Sequence, residues 1–255
     1  MSRLFALAQV SDVHVSRHAP DSGRRLQRLL ASLQAHRDRI DAVLWTGDLL
    51  DRSDGGSYGA LRAALDGLAL PCFVLNGNHD RRHALRHAFA HHAYLPRRGK
   101  LHWCVADFPV AVIALDSVRE NCSAGVLQTA DYQFLQTSLQ RLPAGQPAIL
   151  ALHHPPFAIG FAVQDAVRLQ AAEKLAAMLA GRSQVRLLLC GHVHIHVTQQ
   201  WAGRLAVSAP PALYAADFGQ DGTTVTRTSG WGGWLLHSFY ADGAIQTSHI
   251  ALFDI

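Results

Sequence analysis

Five short polar clusters carry residue types from which a metal centre can be built. They are Asp12-Val13-His14, Gly47-Asp48, Gly77-Asn78-His79-Asp80, His153-His154 and Gly191-His192-Val193-His194. Their side chains are carboxylates, imidazoles and a carboxamide, with no thiolate among them. Oxygen and nitrogen donors of this kind suit divalent metals of intermediate hardness, such as Mn, Fe, Zn or Co. A carboxylate has lone pairs enough for two metals to share, and Asn78 offers a neutral carbonyl oxygen that limits the negative charge of a site. In Asp12-Val13-His14 the donors stand at i and i+2, so an extended backbone would turn both toward one ion. His192 and His194 have the same spacing and could each serve a different ion or flank a bridging water. Histidine is the compositional outlier, with 16 copies. It is the side chain most used for metal ligation and for proton transfer near neutral pH.

Each cluster directly follows an apolar run that reads as a buried strand: residues 5–10, 42–46, 72–75, 148–152 and 185–190. Ligands of α/β folds gather in the crevice outside the C-terminal ends of the strands, so clusters far apart in sequence can converge there. Helical spacing of leucines follows residues 21–23 (Leu26, Leu29, Leu30, Leu33) and the glycine pair Gly55-Gly56 (Leu61, Leu65, Leu68). A third helix is expected to start near Asp80. A fourth is expected over 129–142, with Thr129 or Asp131 near its cap, and a fifth over 166–180, closed by Gly181. Residues 101–106 and 110–115 read as a hairpin around Asp107-Phe108-Pro109. From about residue 196 the pattern changes to short antiparallel strands joined by turns at Ala202-Gly203 and Asp242-Gly243. The glycine-rich segment 219–233 reads as a mobile loop near the site. The reading is an α/β chain forming a single domain over 1–255, with an antiparallel β-rich end.

Composition narrows the classes. Of 255 residues 49% are apolar and 16% charged, which fits a compact globule with a substantial core. No stretch approaches the roughly 18 apolar residues needed to span a bilayer, and the N-terminal run is already a strand rather than a signal peptide. The cysteines Cys72, Cys104, Cys122 and Cys190 show no CxxC spacing, and two sit in apolar runs. Free thiols in the cytoplasm are therefore expected. The net charge is +4, but the arginines are dispersed with no polybasic run, which argues against nucleic acid. His83, His87 and His91 fall at i, i+4, i+8, where a solvated helix face is expected. Trp201, Trp231 and Trp234 offer rings for a nucleobase, with packing the simpler role.

Taken together, Asp-x-His, Gly-Asp, Gly-Asn-His-Asp, His-x-Pro and Gly-His-x-His resemble the calcineurin-like metallophosphoesterase superfamily over residues 12–194. Leu115-Asp116-Ser117, Gly125-Val126-Leu127, Gln133-Phe134-Leu135 and Gly47-Asp48-Leu49-Leu50-Asp51 with Tyr58 are similar to its bacterial class III cyclic-nucleotide phosphodiesterases and glycerophosphodiesterases. After about residue 210 the likeness weakens. The resemblance implies a four-layer sandwich of two mixed β-sheets flanked by helices. It also implies two divalent or trivalent metal ions (Mn, Fe or Zn), one held by Asp12, His14 and His194. Asp48 would bridge to a second held by Asn78, His153 and His192. In the His-x-Pro pattern His153 matches the ligand and His154 the variable position, leaving His154 to pack or support. His79 is implied as the catalytic residue that stabilises charge or protonates the leaving oxygen. Asp80 would orient an imidazole or cap the next helix, and Asp116 would support the site or form a turn.

The implied activity is phosphodiester hydrolysis by a hydroxide bridging the two metals, with 3′,5′-cyclic AMP or GMP as substrate and a glycerophosphodiesterase or broad-specificity phosphodiesterase as the alternative. No Gly-x-Ser-x-Gly elbow or Walker-type loop offers a rival chemistry. A nuclease should carry a DNA-facing basic stripe, and a metal-free scaffold should have lost ligands. Neither feature is seen. Oligomeric state stays open, a homodimer included.

Overall fold

The apolar runs become strands because each can be buried on both faces, which is where parallel sheets flanked by other layers put them. The computed structural model describes residues 2–19, 21–51, 58–219, 224–230 and 232–253. In chain order the elements begin β1 (Arg3–Val10), α1 (Ser22–Ala35), β2 (Ala42–Trp45), α2 (Tyr58–Asp66), β3 (Cys72–Val74) and α3 (Arg82–Ala88). They continue with β4 (Trp103–Val105), β5 (Ala111–Leu115), α4 (Thr129–Arg141), β6 (Ala148–Leu152), α5 (Ala162–Ala166), α6 (Ala172–Leu179) and β7 (Val185–Cys190). The remainder is β8 (Val197–Trp201), β9 (Arg204–Ser208), β10 (Ala215–Phe218), β11 (Val225–Thr228), β12 (Gly233–Tyr240) and β13 (Ile245–Ala251).

Two mixed sheets result, in the orders β13-β12-β1-β2-β3 and β4-β5-β6-β7-β9-β8, with β10 and β11 pairing separately. Strands β1, β2 and β3 run parallel, as do β5, β6, β7 and β9. Period-two alternation sorts the second sheet's side chains into two cores. Val112, Ala114, Ile149, Ala151, Leu187 and Leu189 pack with the first sheet. Their neighbours Ile113, Leu115, Leu150, Leu152 and Leu188 pack with Leu135 and Leu139 of α4 and Leu175 and Leu179 of α6. Leu29 and Leu33 of α1 and Leu61 and Leu65 of α2 join the first core. Helices thus flank two stacked sheets, as expected.

Three sequence expectations need correction. The helix expected over 166–180 is broken, because Leu169 is buried and its N–H bonds to Pro155 O (3.0 Å) while Gln170 N–H bonds to Gly125 O (2.8 Å). Those tertiary bonds withdraw the donors a continuous helix needs, and α6 restarts after Ala171 at φ 51°. The end of the chain is not purely antiparallel, since β9 lies parallel to β7. Within 219–233, residues Val225–Thr228 form β11, paired antiparallel to β10.

Several minor readings also have an outcome. Helix α3 ends at Ala88, so His91 lies beyond it, while His83 and His87 are exposed. Trp234 is buried, its indole N–H donating to Ser32 Oγ at 3.1 Å, which makes it core. Trp201 packs against the second core. Trp231 and Gly55-Gly56 lie outside the described residues. All four cysteines are free, and among the described residues no helix is long and apolar enough to cross a membrane.

Near the start of α4, Asp131 accepts from Gln128 N–H (2.7 Å), Lys100 Nζ (2.5 Å) and His102 Nε2 (2.8 Å). Burial alone would raise its pKa, but His102, the Gln128 N–H and Lys100 override that and hold it at about 2. A lowered native pKa contributes stability above the ordinary carboxylate value of 3.8, and that contribution disappears as pH falls through about 2. Asp131→Asn should therefore cost about 1–3 kcal/mol at neutral pH. Urea titrations should show the gap to wild type closing near pH 2; an equal gap at both pH values contradicts the assignment.

Candidate metal centre

Each polar cluster leaves its strand at the C-terminal end, and the two sheets bring these ends to one edge. Asp12 and His14 follow β1, Asp48 follows β2, and Asn78 follows β3. His153 follows β6, while His192 and His194 follow β7. The backbone does not run extended through the paired donors, as their i, i+2 spacing suggested. Asp12 (φ 51°), His14 (42°), Asp48 (51°), His192 (71°) and His194 (54°) all adopt left-handed conformations. Such geometry costs of order 1–3 kcal/mol per residue and persists only where neighbours impose it. The imposing bonds are Asp12 N–H to Gly47 O (3.1 Å), His14 N–H to Asp48 O (2.9 Å) and Gly191 N–H to His153 O (3.0 Å). His192 N–H donates to the Asp12 carboxylate (3.0 Å). Close approach also dictates Gly77 and Gly191: a Cβ on the first would overlap the Asp48 carboxylate, and one on the second Ser11 Oγ and the Asp12 carboxylate.

The donor atoms form two groups that share one oxygen. In the first, His14 Nε2 lies 3.2 Å from His194 Nε2 and 3.6 Å from Asp48 Oδ2, and His194 Nε2 lies 3.4 Å from Asp12 Oδ1. In the second, Asn78 Oδ1 lies 3.1 Å from His153 Nε2 and 3.0 Å from His192 Nδ1. His153 Nε2 lies 3.4 Å from that same Asp48 Oδ2. Ligand atoms around an ion with bonds near 2.0–2.2 Å stand roughly 3.0–3.6 Å apart, so both groups have the spacing of coordination shells.

The electrostatics fit cations. Burial lowers the pKa of His14 and of His192 to about 3 each, leaving neutral rings with lone pairs to give. Burial works against ionised Asp12, but His194 pulls it down to about 2; Asp48 is likewise held well below its ordinary range against burial, chiefly by His153. Burial would lower His153 too, yet the Asp48 carboxylate raises it to about 9. Two imidazole nitrogens facing each other at 3.2 Å beside two carboxylates can share a proton or turn both lone pairs toward a cation. The donor set fits divalent metal.

A family model described as calcineurin-like phosphoesterase matches residues 5–196. The chain belongs to that family. It is 30% identical over 224 residues to a probable glycerophosphodiester phosphodiesterase GpdQ of Arcobacter nitrofigilis, covering 84% of this chain and 82% of that one. It is 29% identical to a 3′,5′-cyclic-nucleotide phosphodiesterase of Nostoc over 252 residues, 95% of this chain and 91% of the relative. To the 3′,5′-cyclic adenosine monophosphate phosphodiesterase CpdA of Escherichia coli it is 26% identical, over 97% and 90%. A dimetal phosphatase from Danio rerio shares the fold, with TM-score 0.68 at 13% identity over 98% of this chain and 99% of that one.

In this phosphoesterase the two adjacent histidines have different jobs. His153 gives Nδ1–H to Thr46 O (2.8 Å) and turns Nε2 toward Asp48 and Asn78, the arrangement typical of a metal-ligating imidazole. His154 lies near His153 and His192, yet both its nitrogens are engaged: Nδ1 with Ser117 Oγ (2.8 Å) and Nε2 with Ser123 O (3.1 Å). Burial holds its pKa well below the ordinary imidazole value.

Asp80 neither orients an imidazole nor caps α3, whose N-cap is Arg81. It accepts from Leu49 N–H (3.1 Å), Gly77 N–H (2.8 Å) and Tyr58 OH (2.9 Å), tying the Asp48 loop to the Asn78 loop. Asp116 accepts from Arg82 Nε (2.5 Å) and Nη2 (3.0 Å), Asn76 Nδ2 (3.0 Å), and the Leu101 and Val118 N–H groups. Arg82 holds its pKa down against burial. Arg82→Ala would strand a buried carboxylate, with an expected cost of about 3–5 kcal/mol in urea unfolding; a loss below 1 kcal/mol would contradict the pairing.

Sequence reasoning missed Ser11, whose hydroxyl donates to Asp12 Oδ2 at 2.5 Å. It also missed Tyr214, whose OH lies 3.2 Å from the His194 ring nitrogens, and Arg227, stacked 4.5 Å over the Tyr214 ring and 3.5 Å from Asp51. Only the serine had a signal, its position beside the first ligand.

Proposed function

We propose that this phosphoesterase hydrolyses phosphodiesters at a centre of two divalent cations (Mn, Fe or Zn), with 3′,5′-cyclic AMP or GMP as substrate. Asp12, His14 and His194 would hold one cation and Asn78, His153 and His192 the other, with Asp48 placed within reach of both. The observation that carries this reading is the position of Asp48 Oδ2, 3.6 Å from His14 Nε2 and 3.4 Å from His153 Nε2. When bound, such a pair supplies Lewis acidity and a water of lowered pKa.

The chain's own groups do the rest. Asp12 and Asp48, held ionised, offset part of the charge of two cations. Thr46 O and Ser11 Oγ fix the orientation of His153 and Asp12. His79 is half-buried, edge-on to His14 at 4.6 Å between ring centroids, with Nε2 4.0 Å from Asp48 Oδ2 and Nδ1 3.9 Å from Asp51 Oδ1. From that rim it delivers a proton to the departing ester oxygen.

Two clefts flank the centre and support a substrate with one charged and one uncharged part. One, about 460 Å³, runs from Asn78 and His79 past Arg81, His83 and Arg119. The other, about 680 Å³, is bounded by His194 and Tyr214 with Ile195, Pro210, Pro211 and Leu252, a surface suited to a base. The relative named as a glycerophosphodiester phosphodiesterase keeps that substrate as the second reading. Comparing kcat/KM for cyclic AMP, cyclic GMP, a glycerophosphodiester and bis(p-nitrophenyl) phosphate with added Mn²⁺ tests it. Cyclic nucleotides should lead; a leading glycerophosphodiester would favour the second reading, and no turnover of any diester would reject both. We further take residues 1–255 as one domain, working in the cytoplasm, on the strength of the core shared by both sheets and the free thiols.

A further inference from the structure

A second group of donors meets where α2 ends and the chain leaves α3. Asp66 is the last residue of α2, and His91 and His92 follow α3. His92 Nε2 lies 3.4 Å from Asp66 Oδ1, and His91 Nε2 lies 3.7 Å from Asp66 Oδ2. The two rings are 4.2 Å apart at their centroids, and the three ligand atoms fall within 4.8 Å of one another. Tetrahedral zinc, with bonds of about 2.0–2.1 Å, sets its ligands roughly 3.3–3.4 Å apart, so little movement would close this shell.

Two further observations separate the group from a casual surface cluster. Arg62, one turn earlier on α2, holds Asp66 Oδ2 through Nη1 at 2.6 Å, leaving Oδ1 turned to His92. His92 Nε2 is itself buried, yet it makes no aligned hydrogen bond despite the nearby carboxylate. Burial and the neighbouring His91 lower the pKa of His92, so its ring carries a lone pair at neutral pH.

The group is separate from the centre described above. Tyr58, at the start of α2, reaches Asp80 at the edge where the ligands gather. Asp66, eight residues on and so about 12 Å along the helix axis, lies instead at the edge where β3 begins, its charge felt by the Cys72 thiol.

We propose that Asp66, His91 and His92 form a further metal site that takes one Zn²⁺ or a cation of similar softness, with water as fourth ligand. Occupied, it staples α2 to the turn after α3. Because Tyr58 OH also accepts the Arg81 N–H at 3.0 Å, the staple stiffens the helix pair that carries the Asp80 contacts.

The test is equilibrium dialysis of the full chain against micromolar free Zn²⁺, comparing wild type, His91→Ala and the double variant His91→Ala/His92→Ala. Wild type should retain one Zn²⁺ per chain more than either variant, and Zn²⁺ should raise its Tm further than theirs. Turnover should be the same in all three. Because the result is a difference, it does not depend on how many ions the catalytic centre takes. His91 is exposed, so the single variant should fold even if the double one does not. Equal zinc uptake by wild type and His91→Ala overturns the proposal.

Discussion

Asp48→Asn should empty both halves of the metal centre and reduce phosphodiester turnover by at least about 10²–10³-fold, the usual cost of losing even one contact to a reacting oxygen. Asparagine is the informative replacement because Asp48 sits at φ 51°, where Asn is tolerated better than most residues. Its side-chain oxygen can still accept the His79 N–H, at 2.8 Å in the native protein. What disappears is the negative charge that His14 and His153 share. Metal analysis after dialysis should show substoichiometric Mn²⁺, while the circular dichroism and urea midpoint stay close to those of metal-free wild type. Full metal content with full activity in this variant would mean that Asp48 does not bridge.

The second large effect is at His79. His79→Ala should leave metal content intact and lower kcat about 10²–10⁴-fold on natural diesters, the usual worth of a positioned proton donor. The loss should shrink for bis(p-nitrophenyl) phosphate, because nitrophenolate departs without protonation. The fall of activity at high pH should also flatten, since that limb reports a donor losing its proton. An equal loss on both leaving groups would make His79 a binding group. Loss of metal would make it a ligand.

The strands that lead into the candidate ligands were readable because each is an apolar run buried on both faces and followed at once by a polar cluster. The pairing of the clusters was not readable from spacing. Asp12 and His14 meet because both are left-handed on either side of Val13, a conformation fixed by bonds to Gly47 and Asp48 that only the folded sheet supplies. His154 illustrates the same limit. Its residue type suits a ligand as well as His153 does, and only Ser117 and Ser123, both more than 30 positions away, show that its nitrogens are engaged. Asp80 belongs to a recognisable motif, but its work is to receive backbone N–H groups of Leu49 and Gly77, and no residue type advertises that. Tyr214 and Arg227 come from the part of the chain where the family pattern fades. The break between α5 and α6 came from two long-range hydrogen bonds outweighing good helical periodicity.

Anomalous diffraction from crystals grown with Mn²⁺ addresses the centre most directly. Two peaks are expected, roughly 3.5–4 Å apart. Asp12, His14 and His194 should surround one and Asn78, His153 and His192 the other, with Asp48 touching both. A single peak, or two with His154 as a ligand or with Asp48 bound to only one, would contradict the account.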